Sequence, residues 1–174
     1  PDVGELLQRF VVEHGGGLVC IAGEEFHPQE YRGTPLEVLL PVSLEGAVAC
    51  LAGPGEAAPR LELTVEGRSQ RFLRLADDAA DDDLAWQALP PAAEWFIRTP
   101  QVKPGASVLA VGARAGEAPA PLIVQQRIGR GQVLYHGFDS TWKWRRRVED
   151  RYFGRYWSQA VRAVAARRNQ RSNS

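Results

Sequence analysis

The sequence predicts an α/β domain: an open, mostly parallel sheet with helices on both faces and a β-rich insertion. Three observations carry this expectation. The chain opens on a helix followed by a strand, it closes on strands followed by a long helix, and the middle alternates polar with apolar residues.

The opening helix is expected from Asp2 to His14. Val3, Leu6, Leu7, Phe10 and Val11 recur at the spacing of one helical face. Asp2 with Glu5 three residues on makes a capping box, and Gly15 suits the left-handed position that ends a helix. Gly17 to Ala22 follows as an unbroken apolar run, the pattern of a fully buried parallel strand. Gly23 to Gly33 reads as a polar loop. Thr34-Pro35-Leu36-Glu37 opens a short helix, with Thr34 as N-cap and Glu37 reaching back to it, and Pro41 ends it.

In the middle, Arg60 to Val65 and Gln70 to Leu75 each alternate, and Glu66 to Ser69 reads as the turn of a hairpin between them. The acidic run Asp77 to Asp83 reads as a solvated turn, and Leu84 to Leu89 as a short helix. Ser107 to Ala113, Leu122 to Ile128 and Gln132 to Phe138 are strand candidates, the last two joined by a turn at Gly129-Arg130-Gly131. A strong helix is expected from Glu149 to Arg167. Tyr152, Phe153, Tyr156, Trp157, Ala160, Val161, Val164 and Ala165 form its apolar stripe, and Arg151, Arg155 and Arg162 lie mostly on the other side. The expected domain spans residues 1–168, with the β-rich insertion at about 46–106 and a disordered tail at 169–174.

Length and composition suit one soluble domain: 174 residues, 44% hydrophobic and 24% charged. No apolar run approaches the roughly 18 residues of a membrane helix, so no direct membrane insertion is expected. There is no Met, and the helix–strand units at the two ends supply few strands for an open parallel sheet. The sequence is therefore expected to be part of a longer polypeptide, with one or two βα units before Pro1.

Net charge is zero but unevenly spread. Residues 1–126 carry 18 acidic and 9 basic side chains, and residues 127–174 carry 3 acidic and 12 basic. Such asymmetry marks either a nucleic-acid or membrane-surface patch or a basic helix beside acidic parts of the same protein, and the last reading is favoured. The same choice arises at Thr141 to Arg147, where Trp142 and Trp144 alternate with bases. Stacking on single strands uses such a mix, whereas tryptophans packed at the core edge beneath wet arginines need no nucleic acid, and none is expected. The two cysteines, Cys20 and Cys50, sit in apolar runs and read as buried, inert thiols, with no CxxC spacing for zinc. No cofactor is expected.

Ligands of open α/β sheets bind beyond the carboxyl ends of strands. Two such ends are rich in polar residues: Gly23 to His27 after the first strand, and Gly137 to Trp142 after the last. If the strands are neighbours, Glu24, Glu25, His27, His136 and Asp139 face one crevice, a set suited to acid–base work or to a metal or carbohydrate. A plainer alternative has Asp139 and Ser140 capping the turn before the last helix, with the glutamates in solvent. The ligand-binding candidates are Glu24, Glu25, His27, Asp139, Ser140 and Trp142. The catalytic candidates are Cys20, His136 and Asp139.

Several segments, taken in order, resemble a known family: His14 to Val19, Tyr31 to Leu36, Leu39 to Val42, Leu63 to Gly67, Trp86 to Pro91, Val102 to Ala106, Gly129 to Leu134 and Asp139 to Arg145. Together they look like the class I glutamine amidotransferase-like domain of large bacterial membrane-anchored proteins that often carry a von Willebrand A-type domain. The resemblance implies a flavodoxin-like fold and a soluble domain, on an undetermined side of the membrane, that meets neighbouring domains of its parent or another protein. Working members place a cysteine at a sharp turn after a strand, activated by a histidine and a glutamate from a later strand end. Here the corresponding turn reads Ile21-Ala22-Gly23-Glu24 and the later strand ends His136-Gly137-Phe138-Asp139. With no nucleophile at the apex, the expectation is a non-catalytic binding or scaffolding domain. The alternative is a hydrolase or amidotransferase using Cys20 with His136.

Overall fold

The computed structural model describes residues 2–51, 58–91, 95–113, 116–147 and 150–169. Helix α1 (Val3–Val12) begins at the predicted capping box: Asp2 accepts from the Gly4 amide, and the Glu5 side chain accepts from the Asp2 amide. Gly15 ends it with φ +73°, a conformation in which a Cβ would clash with the backbone. Strand β1 (Gly17–Ile21) follows, then a 3-10 turn at Gln29–Tyr31 and α2 (Pro35–Leu39). Glu37 does reach back, but to the amide of Gly33, one residue before the expected cap.

Two sheets follow. Strands β2 (Val48–Leu51) and β4 (Trp95–Arg98) pair antiparallel in a small sheet. The main sheet runs β1-β7-β6-β5-β3, with β3 at Arg60–Leu63, β5 at Ala106–Ala113, β6 at Ala120–Ile128 and β7 at Gly131–His136. The α/β class is borne out, with α1 and the closing helix at Asp150–Asn169 flanking a five-stranded sheet. The expectation of a mostly parallel sheet is corrected: only β1 and β7 run parallel, while β3–β5, β5–β6 and β6–β7 are antiparallel. The physical reason is connection length. The two-residue turn Gly129-Arg130, with Gly129 at φ +56°, can only join antiparallel neighbours.

The expected 60–75 hairpin is also absent. After β3 the chain enters α3 (Val65–Ser69), capped by Thr64, whose hydroxyl accepts from the Gly67 amide, and then a 3-10 turn at Arg71–Leu73. A threonine hydroxyl offered to the third amide outweighed the alternating pattern. The acidic run is likewise no turn. Asp78 caps α4 (Ala79–Ala88) by accepting from the amides of Ala80 and Asp81, and Asp82 accepts from those of Leu75 and Ala76. Carboxylates belong at helix N-termini, where amides lack partners.

After β7 come a 3-10 turn at Ser140–Lys143, then α5 (Trp144–Arg147) and α6 (Asp150–Asn169). Asn169 closes α6 rather than opening the tail. Residues 170–174 of the expected tail lie outside the described residues.

Helices cover both faces of the main sheet. On one, Tyr156, Ala160 and Val164 of α6 pack with Trp86 of α4, Trp144, Leu134 and Ile123. The rings of Trp86, Trp144 and Tyr156 meet edge-on, the arrangement that aromatic quadrupoles favour. On the other, Val11 of α1 and Leu39 of α2 meet Val133, while Cys20, Tyr135 and Val124 pack with Leu40, Val42, Trp95 and Ile97. Buried Gln126 ties this layer down by donating to the carbonyls of Leu39 and Leu40. Strand β1 ends the sheet, so it is not fully buried: Ile21 is 41% exposed. Along the face predicted for α1 only Val11 is fully buried, while Val3, Leu6 and Phe10 are exposed.

Candidate functional site

The strands whose ends were expected to share a crevice are indeed neighbours. β1 and β7 pair in parallel with Cys20 beside Tyr135 and Ile21 beside His136. The Ala22 amide donates to the His136 carbonyl at 2.8 Å, so the carboxyl ends of both strands lie together. Side chains alternate across a sheet. Cys20 therefore leaves on the face of Tyr135, toward Leu40, Val42 and Trp95. His136 leaves on the opposite face, where its Nε2 is hydrogen-bonded to the Tyr156 hydroxyl and its ring lies 5.1 Å from that of Trp157.

The two groups are also electrostatically unsuited to form a nucleophile–base pair. Burial pushes the Cys20 thiol up to about 12, so it stays protonated at neutral pH, and the thiolate is the nucleophile. Burial pulls His136 down to about 3, so the imidazole is neutral. His136 is fully buried, and its Nδ1 has no hydrogen-bond partner among the described residues. Tyr156, which meets it, is likewise buried and its phenol raised by desolvation.

The remaining candidates do not converge on one crevice. Glu24, Glu25 and His27 are exposed in the loop after β1. Gly23 donates its amide to the His27 carbonyl at 3.0 Å, which curls that loop back on itself. Asp139 is exposed, with its carboxyl raised by partial desolvation. It starts the 3-10 turn without a side-chain capping bond, and Ser140 is buried. The expected joint crevice is thus corrected: His136 turns into the core while the loop acids stay in solvent. Among the described residues no three His, Cys, Asp or Glu side chains gather as a metal would require. The tryptophans separate as well. Trp144 is fully buried, whereas Trp142 is 45% exposed with Lys143 Nζ 5.6 Å from its ring centroid.

What the structure builds at β1 is a different feature. A cavity of about 260 Å³ borders all of Leu18 to Ile21, walled by Leu7 of α1, by Leu36 and Leu40 beside α2, and by His27 and Tyr31. The His27 and Tyr31 ring centroids lie 4.8 Å apart, with the planes tilted by 39°. Cys20 lines this space, yet no hydrogen bond joins it to His27, and desolvation is the one cause moving its thiol. Beyond the cavity lies the bare edge of the sheet. In a parallel strand each residue sends its N–H and C=O to the same side, and the side alternates. Ala22 faces β7, so Leu18 and Cys20 do too, and the backbone groups of Val19 and Ile21 point outward, where no strand among the described residues pairs with them. Sequence reading missed this edge, because a continuous apolar run is equally consistent with a central strand. The exposed Val3, Leu6 and Phe10 of α1 were in plain sight, but nothing local says that a regular apolar face will go uncovered.

Among the described residues no helix is long and apolar enough to cross a membrane. No family model matches the chain, and no curated protein matches it. Solved structures do. The cytoplasmic protein STM1381 from Salmonella typhimurium LT2 is similar at a TM-score of 0.61 and 20% identity over 95% of this chain. The cytoplasmic protein STM3548 from Salmonella typhimurium is similar at 0.61 and 17% over 95%. A weaker likeness, TM-score 0.45 and 18% identity over 92% of this chain and 22% of the other, is to the exo-β-1,4-mannosidase Op5Man5 from Opitutaceae bacterium strain TAV5. At such identities the first two show a shared α/β fold. This chain spans 61% of the length of each of those two proteins.

Proposed function

We propose that this chain is a non-catalytic, glutamine amidotransferase-like binding or scaffolding domain of a larger, envelope-associated bacterial protein. Its binding surface is the outer edge of β1 with the adjoining face of α1. The observation that carries the non-catalytic reading is the placement of Cys20 and His136 on opposite faces of the sheet, the thiol protonated and the imidazole neutral. The two fold neighbours are named as cytoplasmic proteins, so the fold itself demands no membrane.

The occupant of the edge is an extended apolar segment that adds to the sheet parallel to β1, supplied by a neighbouring domain or a partner protein. Three observations support it. The outward N–H and C=O groups of Val19 and Ile21 are a ready template for strand addition. The cavity beside them is lined mostly by apolar side chains, and α1, whose Leu7 walls it, leaves Val3, Leu6 and Phe10 exposed. The fold neighbours carry more than a third of their length outside the matched region, so further chain beside this fold has precedent.

Two measurements test the reading. Ammonia release from glutamine should be the same for the protein and for Cys20→Ala. A photo-crosslinker at Ile21 should capture an extended segment, and the amides of Val19 and Ile21 should exchange slowly once it is bound. Cysteine-dependent turnover would overturn the first half, and crosslinks confined to helices or to polar loops the second.

A further inference from the structure

On the other face of the sheet, a cavity of about 570 Å³ opens between the segment around the Arg71–Leu73 turn and helix α6. Four arginines among the described residues line it: Arg71, Arg74, Arg155 and Arg162. One carboxylate does, and it is already engaged, since Arg155 Nη2 reaches Asp77 Oδ1 at 2.6 Å and that pairing lowers the Asp77 carboxyl. Among the described residues no carboxylate forms an ion pair with Arg71, Arg74 or Arg162, although Asp77, Asp78, Asp82 and Asp83 line the smaller neighbouring cavity that Arg74 also borders.

The walls are fixed in place. Arg155 Nε and Gln159 Nε2 both donate to the Arg74 carbonyl, at 3.1 and 2.8 Å, which fastens the turn to the helix. Phe72 beneath is buried. Gathering like charges around one cavity is unfavourable unless a negative group answers them, and among the described residues a single aspartate lines this cavity beside four arginines. Guanidinium groups match phosphate and carboxylate oxygens in geometry as well as charge. The volume falls within the range of small-molecule sites.

We propose that this cavity binds a small molecule bearing at least two phosphate or carboxylate groups, held by Arg71, Arg74 and Arg162, with the Arg155–Asp77 pair as a fixed wall. The inference does not depend on the β1 edge or on the absence of catalysis. It also gives the basic carboxyl-terminal segment a task that needs no nucleic acid.

The test is titration of the full chain with inorganic pyrophosphate and, separately, with citrate, by calorimetry and by thermal melting, with sodium chloride adjusted to hold ionic strength constant. One or both should bind saturably and raise the melting temperature, because a ligand selective for the folded state stabilises it. A stronger response to pyrophosphate marks a phosphorylated ligand, and a stronger one to citrate marks a polycarboxylate. The double variant R71A/R162A, altered at exposed positions, should melt like the parent without ligand and lose affinity by about tenfold or more. No binding of either probe at millimolar concentration would overturn the proposal. So would equal affinity in the double variant, a shift reproduced by sodium chloride, or binding to single-stranded DNA that strengthens with oligonucleotide length.

Discussion

Cys20 and His136 stand on adjacent parallel strands, one residue out of register, and point away from each other through the sheet. A pair can be close in backbone and still be chemically remote, because the sheet itself is the barrier between them. To bring the sulfur to the imidazole, β1 would have to slip by one residue, and that would reverse every side chain from Leu18 to Ile21. The separation therefore belongs to the fold and does not depend on a rotamer.

The first prediction concerns His136 and pH. Its folded value is about 3 against an ordinary 6.5, so between those values the unfolded chain binds a proton that the folded chain refuses. Its contribution to stability is intact above pH 6.5 and falls as pH drops toward 3, by about 1.4 kcal/mol per pH unit. Denaturant melts of the protein and of His136→Gln should diverge in slope below pH 6.5, the variant lacking this share of the decline. Parallel slopes would show that His136 is not buried as a neutral group.

Two glycines make a contrasting pair. A Cβ on Gly67 would lie 1.9 Å from the Leu109 carbonyl oxygen, so α3 approaches β5 more closely than any side chain allows. Gly67→Ala should destabilise by about 1–3 kcal/mol, and by more if α3 cannot shift. Gly154, within α6, is exposed, and a Cβ added there would meet nothing within 4 Å. Gly154→Ala should stabilise by up to about 1 kcal/mol through helix propensity alone. Thermal melts of the two variants in one buffer check both signs.

The acidic run offers a third test. Asp82 receives the amides of Leu75 and Ala76, and Leu75 is fully buried. Asp82→Ala strands those donors and should cost about 1–3 kcal/mol. Asp81→Ala, exposed one residue away, should change the midpoint far less. Equal losses would mean that the run acts through net charge rather than through these two bonds.

At the sheet edge, Ile21→Lys places a charge on an exposed side chain. The melting temperature of the chain by itself should hardly move, while pairing with an added strand should be lost. Retained crosslinking to the partner segment in this variant would place the contact elsewhere.

Much of the architecture was legible in the residues. The capping box of Asp2 and Glu5, the Gly15 stop, the long apolar strands at 106–136 and most of the α6 stripe were stated locally, and the structure keeps them, whereas Val161 and Ala165 of that stripe are exposed. What failed was decided at a distance or by a single hydrogen bond. The alternation in 60–75 reads as two strands until Thr64 caps the helix that replaces the turn. Strand direction is invisible in an apolar run, and so is the edge position of β1. The site suffered most. His136 and Asp139 are three residues apart, and proximity in sequence gave no hint that one faces α6 and Tyr156 while the other stays in solvent. Nor did the scattered arginines at 71, 74, 155 and 162 betray a common cavity, because helix and turn meet only in three dimensions.

The most direct test of the Cys20 assignment is its alkylation rate by iodoacetamide across pH 6 to 10, followed by peptide mass spectrometry that separates Cys20 from the half-buried Cys50. With the thiol raised to about 12, Cys20 should remain unlabelled in the folded protein over the period in which the unfolded chain reacts completely. Rapid labelling of folded Cys20 with an apparent value below that of a free thiol, lost in His136→Gln, would contradict it.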